Sequence, residues 1–354
     1  MLLFALVTSF IFAMLITPAV IKAAHSLGAV DQPNARKVHL KEMPRLGGLS
    51  IYLAFIIGVA IVQLTQPLDF DLYIIIAGAT IILLTGILDD IHEITPLMKL
   101  SGQIAAALLI ALGGIQLEFI NLPFGGTFEF GLMSIPLTVF WIVAITNSIN
   151  LIDGLDGLAS GVSAIALATI GFMAVLMGNT LVMVIAFILV AGILGFMRYN
   201  FFPAKIFMGD SGALFLGFMI SILALQGFKN ITVISLIIPL IILGVPLSDT
   251  FFAIIRRRFN KAKISQADKS HLHHCLINLG FTHRQTVLLI YSMAALFGVF
   301  AIIFSMSTIW GAIIVGLLLF VSIEIAVEMI GLVDKSYRPL LNFLRIAEKQ
   351  QNKS

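Results

Sequence analysis

A single cysteine, Cys275, stands among 354 residues, so no internal disulfide can brace the chain. Charge is scarce too. Asp, Glu, Lys and Arg make up 11% of the residues, against roughly 25% in an average soluble domain. Apolar residues take their place: 60% of the chain is hydrophobic and its mean hydropathy is strongly positive. That balance excludes a soluble globular protein, and no polar stretch is long enough to fold as a separate soluble domain. The first apolar run, 2–24, is too long for a signal-peptide core and has no small-residue cleavage pattern, so a retained span is expected there.

A hydrocarbon layer of roughly 30 Å needs about 20 apolar residues per helix. On that ruler the sequence predicts an all-α polytopic membrane protein with eleven spans, near 2–24, 47–66, 71–88, 99–117, 134–150, 158–177, 180–197, 211–227, 232–255, 286–305 and 308–330. The stretch 118–133 alternates apolar and polar residues around Gly125-Gly126 and suits a small hairpin. Twenty of the 21 Lys and Arg residues fall in or beside the loops after spans 1, 3, 5, 7 and 9 and in the tail, with Lys229 alone on the other side. The positive-inside rule then puts the N-terminus outside and the C-terminus in the cytoplasm. The chain thus divides into a membrane domain, 1–330, and a basic tail, 331–354, readable either as an amphipathic helix on the inner leaflet or as a frayed end.

With that topology, four acidic clusters share the cytoplasmic face: Asp89-Asp90, Asp153 with Asp156, Asp210, and Asp268. Ionised groups beside spans are costly and tend to mark function. Asp89 and Asp90 close a helix whose dipole opposes them, which calls for a basic or metal partner; Lys99, across a short loop, is placed to supply one. Asn147, Asn150 and Asp153 recur every three residues, as on one helical face, followed by Asp156 between Gly154 and Gly157. The bland alternative makes these Asn residues interhelical glue and the glycines packing devices, which is the reading adopted for Gly161. Asp210 opens a helix, where it could be a plain N-cap; the nearby Asn200, Lys205 and Phe207 also offer an amide, a cation and an aromatic suited to a nucleotide. In the last long loop, Arg256 and Arg258 read as membrane anchors. His271, His273 and His274 lack the companions of a zinc site and fit hydrogen bonding to phosphate or sugar better.

These segments resemble the polyprenyl-phosphate N-acetylhexosamine-1-phosphate transferase family. The matching pieces are 31–48 (DQPNARKVHLKEMPRLGG, containing Arg45), 88–90 with Lys99, 147–161 (NSINLIDGLDGLASG), 198–212 (RYNFFPAKIFMGDSG) and 268–274 (DKSHLHH). The His-x-His-His form is similar to the branch that uses UDP-GlcNAc, nearest in form to the enzymes that start wall teichoic acid. The resemblance implies a Mg²⁺-dependent enzyme, with Mn²⁺ as an alternative ion. It would transfer GlcNAc-1-phosphate from UDP-GlcNAc to undecaprenyl phosphate at the bacterial plasma membrane, with no nucleic-acid partner and with homodimer formation left open. It implies Asp210 as the metal-binding aspartate with Asp153 close to the ion. Asp89, Asp90 and Lys99 are implied as catalytic, with Asp89 acting on the lipid phosphate. His271, His273 and His274, with Arg257, are implied near the sugar and diphosphate, and Arg45 and Asn150 among the substrate contacts. Leu155, Asp156, Asn200 and Phe207 are implied around the uridine, with Phe207 stacking on the base.

Two alternatives stand beside this reading. The phospho-MurNAc-pentapeptide translocase branch carries three consecutive histidines, which Leu272 interrupts here. A secondary transporter would suit the Gly244-Val245-Pro246 break and the intramembrane pair Glu324 and Glu328, but transporters hold their ionisable groups near the midplane.

Overall fold

The computed structural model describes residues 1–32, 42–64, 68, 71–121, 126–228, 233–259, 271–330, 339, 340 and 342. Asp268, Lys229 and nearly all of the tail lie outside the described residues, as does 33–41 of the first matching segment.

Thirteen α-helices run in chain order among the described residues: α1 (Leu2–Leu27), α2 (Gly47–Gln63), α3 (Asp71–His92), α4 (Pro96–Leu112), α5 (Ser134–Leu151), α6 (Leu158–Met177), α7 (Thr180–Asn200), α8 (Gly209–Phe228), α9 (Val233–Ile242), α10 (Gly244–Phe259), α11 (Leu272–Asn278), α12 (His283–Met306) and α13 (Ile309–Ile330). Eight of them, α1, α3, α5 to α8, α12 and α13, are long and apolar enough to cross a membrane. The helices at 47–63 and 96–112 are apolar but shorter, at 17 residues each.

Local chemistry sets the ends. Gly178, in the left-handed conformation, stops α6, and the Asn179 side chain accepts the Val182 N–H at 3.1 Å to start α7, so two residues reverse the chain. Thr95 caps α4, with Pro96 at its first position, and Thr282 with Gln285 forms a capping box on α12. The expected hairpin is present: β3 (Phe119–Asn121) pairs antiparallel with β4 (Thr127–Glu129). A second short pair, β1 (Val30–Asp31) with β2 (Met43–Pro44), ties the end of α1 to the start of α2.

The expected single span 232–255 is instead two helices, α9 and α10, broken at Leu243. The sequence supplies the cause: Gly244 weakens the helix and Pro246, with no N–H to give, fits only the first turn of a new one. The helix α8 is innermost, with 89% of its apolar window buried against 17% for α13, and it packs on α2, α3, α5 and α6. This central helix carries Asp210 at its N-terminal turn. Glu328 on α13 is buried and accepts the Leu340 N–H at 2.7 Å, so this intramembrane carboxyl ties down the chain that follows its helix.

Candidate active site

The site is built around the N-terminus of α8, whose first N–H groups have no partners within the helix. Asp90, in the last turn of α3, supplies them: Oδ1 accepts the Asp210 N–H at 2.9 Å and Oδ2 the Ser211 N–H at 3.0 Å. The capping aspartate is therefore Asp90 from another helix, and the Asp210 side chain is left for other work. Gly209 makes the approach possible. Its φ is +70°, and a Cβ there would lie 1.9 Å from the Arg45 carbonyl oxygen.

Asp210 sits in a charged cluster. Its Oδ1 accepts from Asn150 Nδ2 at 2.7 Å, and its Oδ2 is bonded to Lys99 Nζ. Lys99 also reaches Asp89 at 3.2 Å and Asn150 Oδ1 at 3.4 Å. The expected pairing of Lys99 with the α3 carboxylates is thus made to Asp89, and the same ammonium bridges to Asp210. Asn147 does something else: it donates to Gln103 on α4 at 2.6 Å, the interhelical role that was its alternative. The common face expected for Asn147, Asn150 and Asp153 does not extend that far, because α5 ends at Leu151 and Asp153 lies in the turn beyond it.

Asp153 is half-buried, and burial together with the carboxylates of Asp210 and Asp90 pushes its pKa up to about 8, against a weaker opposing pull from Arg45. His273 is moved the other way. Burial, then its neighbour His274, brings its pKa down to about 3, so it is a neutral imidazole at ordinary pH. Its ring lies against Gly154, where a Cβ would meet Nε2 at 2.5 Å.

Above the cluster opens a cavity of about 540 Å³. Arg45, Asp90, Asp153, Leu155, Asp156, Asn200, Phe207, Asp210, His273 and His274, all expected site residues, line it. Asp89, Lys99, Asn150, His271 and Arg257 are not among its lining residues. The first three join it through Asp210. His271 is directed instead to Asp249, 2.8 Å away on α10. Arg256, expected as a membrane anchor, is buried on the same α10 face as Asp249 and Ala253, since positions 249, 253 and 256 follow the helical repeat inward. The Arg258 side chain lies outside the described residues. Gly161 keeps its packing role: the Tyr291 ring occupies the space beside it.

Several expected contacts are also committed to shaping the wall. Asn200 accepts from Ser160 Oγ at 2.7 Å and donates to the Ile206 carbonyl at 3.0 Å, while Asp156 Oδ2 accepts the Ala204 N–H at 2.9 Å. Together they fix the loop 201–208 that presents Phe207, whose N–H bonds to the Pro44 carbonyl at 2.8 Å. Asp31, Phe202 and His283 line the cavity without having been expected. Asp31 pairs with Arg45; the Phe202 ring packs on His283 with centroids 4.6 Å apart, and His283 Nε2 accepts the Asp156 N–H at 3.1 Å. The one available signal for Phe202 was its place inside the matching segment 198–212.

The donor set suits a hard cation. Among the described residues no group of three His, Cys, Asp or Glu side chains is placed to hold a metal ion. Carboxylate oxygens are the usual protein donors to Mg²⁺, which commonly takes one or two of them plus substrate phosphates. Of the lining carboxylates, Asp90 and Asp156 accept backbone N–H groups and Asp31 pairs with Arg45, so Asp210 and Asp153 are the two that could hold such an ion.

A family model described as Glycosyl transferase family 4 matches residues 72–228. The chain is 46% identical over 343 residues, 96% of its length and 95% of the relative's, to the probable undecaprenyl-phosphate N-acetylglucosaminyl 1-phosphate transferase of Bacillus subtilis (strain 168). It is 32% identical over 367 residues, 95% and 91% of the two chains, to the decaprenyl-phosphate N-acetylglucosaminephosphotransferase of Mycobacterium tuberculosis (strain ATCC 25618 / H37Rv). Over 299 residues, 82% and 80% of the two chains, it is 32% identical to the undecaprenyl-phosphate alpha-N-acetylglucosaminyl 1-phosphate transferase of Escherichia coli (strain K12). With eight apolar helices and bacterial relatives, it is a multi-pass bacterial membrane protein. A match that spans the acidic cluster from α3 to α8, continued by near full-length similarity on either side, makes the chain a member of glycosyl transferase family 4.

Proposed function

We propose that the chain transfers GlcNAc-1-phosphate from UDP-GlcNAc to undecaprenyl phosphate, the first membrane step of a cell-envelope polysaccharide. An oxygen of the lipid phosphate bonds to the β-phosphorus of the donor, the bond from that phosphorus to the bridging oxygen breaks, and UMP leaves. The carrying observation is the Asp89–Lys99–Asp210–Asn150 cluster, joined through Asp210 to a 540 Å³ cavity lined by carboxylates, imidazoles and Phe207. The eleven apolar segments are read as crossing the bilayer with the N-terminus outside, which sets this cavity in the cytoplasm where a nucleotide sugar is available.

Lys99 joins two carboxylates that would serve different substrates. Asp210 lines the cavity read as the donor site, whereas Asp89, bonded to both Lys99 and Asp210, is half-buried and not among the lining residues. That position suits Asp89 to receive the acceptor phosphate from the bilayer and take its proton. Lys99 holds both carboxylates at fixed spacing and places positive charge where two anions must meet. Phe207 supplies a ring for the uracil, and neutral His273 with His274 offers ring nitrogens to the sugar and diphosphate. Mg²⁺, held by Asp210 with Asp153 beside it, would neutralise the diphosphate and stabilise the departing UMP.

Incubating the purified protein with UDP-GlcNAc, undecaprenyl phosphate and Mg²⁺ should give UMP and a lipid-linked sugar, each requiring the lipid. UDP-MurNAc-pentapeptide in place of the donor should give neither. Failure of the first mixture to release UMP would contradict the reaction, and equal use of both donors would contradict the donor assignment.

A further inference from the structure

Asp249 has no part in the chemistry above, yet its carboxyl is 1% exposed on α10. A buried carboxylate is costly unless its oxygens are bonded. Both oxygens are. Oδ1 accepts the Leu272 N–H at 2.8 Å, and Oδ2 lies 2.8 Å from His271 Nδ1. With Asp249 ionised its oxygens can only accept, and Nδ1 then carries the proton of that pair.

These bonds grip the start of α11 from outside. At seven residues α11 is too short to hold a helical conformation unaided. The imidazoles then follow in a row. The rings of His271 and His273 are parallel, with centroids 6.1 Å apart and an interplanar angle of 3°, and His273 meets His274 at 4.2 Å. His273 and His274 line the cavity, and His271 is not among its lining residues.

We infer that Asp249 and His271 form a strut that presents His273 and His274 to the nucleotide sugar. Asp249 is a positioning residue, and His271 acts through its bond to Asp249 rather than by touching substrate. The inference rests on reading the cavity as the donor site.

The test is the affinity of the full-length, detergent-solubilised protein for tritiated UDP-GlcNAc, without lipid acceptor. Asp249→Ala and His271→Ala should each weaken binding by about tenfold, the low end of what losing a histidine's orienting partner costs at metal sites. His271→Asn, whose side-chain N–H can still donate to Asp249, should stay within about threefold of wild type. In a His273→Ala/His274→Ala background, Asp249→Ala should cost less than about twofold, since the groups it positions are gone. Equal losses from His271→Asn and His271→Ala would show that the imidazole itself contacts the donor and would overturn the strut. So would an Asp249→Ala loss of the same size in both backgrounds. Should Asp249→Ala fail to fold, the His271→Ala and His271→Asn pair in the two backgrounds decides the matter alone. Absence of binding by the wild-type protein would instead overturn the reading of the cavity, and the strut's purpose with it.

Discussion

Asp90 and Asp210 meet at one helix end and have opposite environments. The Asp90 oxygens are taken by backbone N–H groups of Asp210 and Ser211, whereas those of Asp210 face Lys99 and Asn150. Asp210→Asn removes the charge opposite Lys99 without touching the cap, so turnover should drop by at least about a hundredfold while the melting temperature in detergent stays close to wild type. Recovery of near-normal turnover at saturating Mg²⁺ would contradict the role given to Asp210. Asp153 makes a pH prediction. Its folded pKa of about 8 lies above the ordinary 3.8, so its contribution to stability is whole below about pH 4 and is lost as the pH rises through 8. Without metal or donor, Asp153→Asn should therefore melt several degrees higher than wild type at pH 9 and close to it at pH 4; equal melting temperatures at both values would contradict the crowding of carboxylates. The acidic positions themselves were legible in the sequence, because charges at the ends of apolar runs are rare. Which aspartate caps and which binds was not legible, since the partners of Asp90 lie 120 and 121 residues away.

At the scale of elements, α8 is central and its N-terminus is held by α3. Asp90→Ala leaves two N–H groups of α8 without acceptors in a buried place, at a cost of about 1–3 kcal/mol for each unsatisfied group. It should therefore lower the melting temperature and turnover together, unlike Asp210→Asn; a stable but inactive Asp90→Ala protein would move Asp90 into the chemistry. Apolar runs and turn residues predicted most of the helices and the β3–β4 hairpin, because run length and local turn chemistry are written in adjacent residues. The break at Leu243 was hidden within a continuous apolar stretch, although Gly244 and Pro246 marked it. The end of α5 before Asp153 was hidden too, by a three-residue spacing that continues past the helix. Asp249 was visible only as a polar residue after the break, since its partners come from α11.

For the whole molecule, the account requires the cavity end of the bundle to face the cytoplasm. Glu93 stands there, with a side chain 83% exposed and 3.9 Å from Arg45. In a Cys275→Ser background, Glu93→Cys should react with a membrane-impermeant maleimide in inverted vesicles and be protected in intact spheroplasts. Labelling in intact spheroplasts alone would reverse the orientation. The central claim is that the sugar moves together with its phosphate, which follows from reading the cluster around Asp210 and Lys99 as the place where the two phosphates meet. Its most direct test is UDP-GlcNAc carrying tritium in the sugar and ³²P at the β-phosphate, given to the purified protein with undecaprenyl phosphate. Both labels should enter the lipid fraction in equal molar amounts, with unlabelled UMP as the only nucleotide product; tritium entering the lipid without ³²P, with labelled UDP released, would contradict the account.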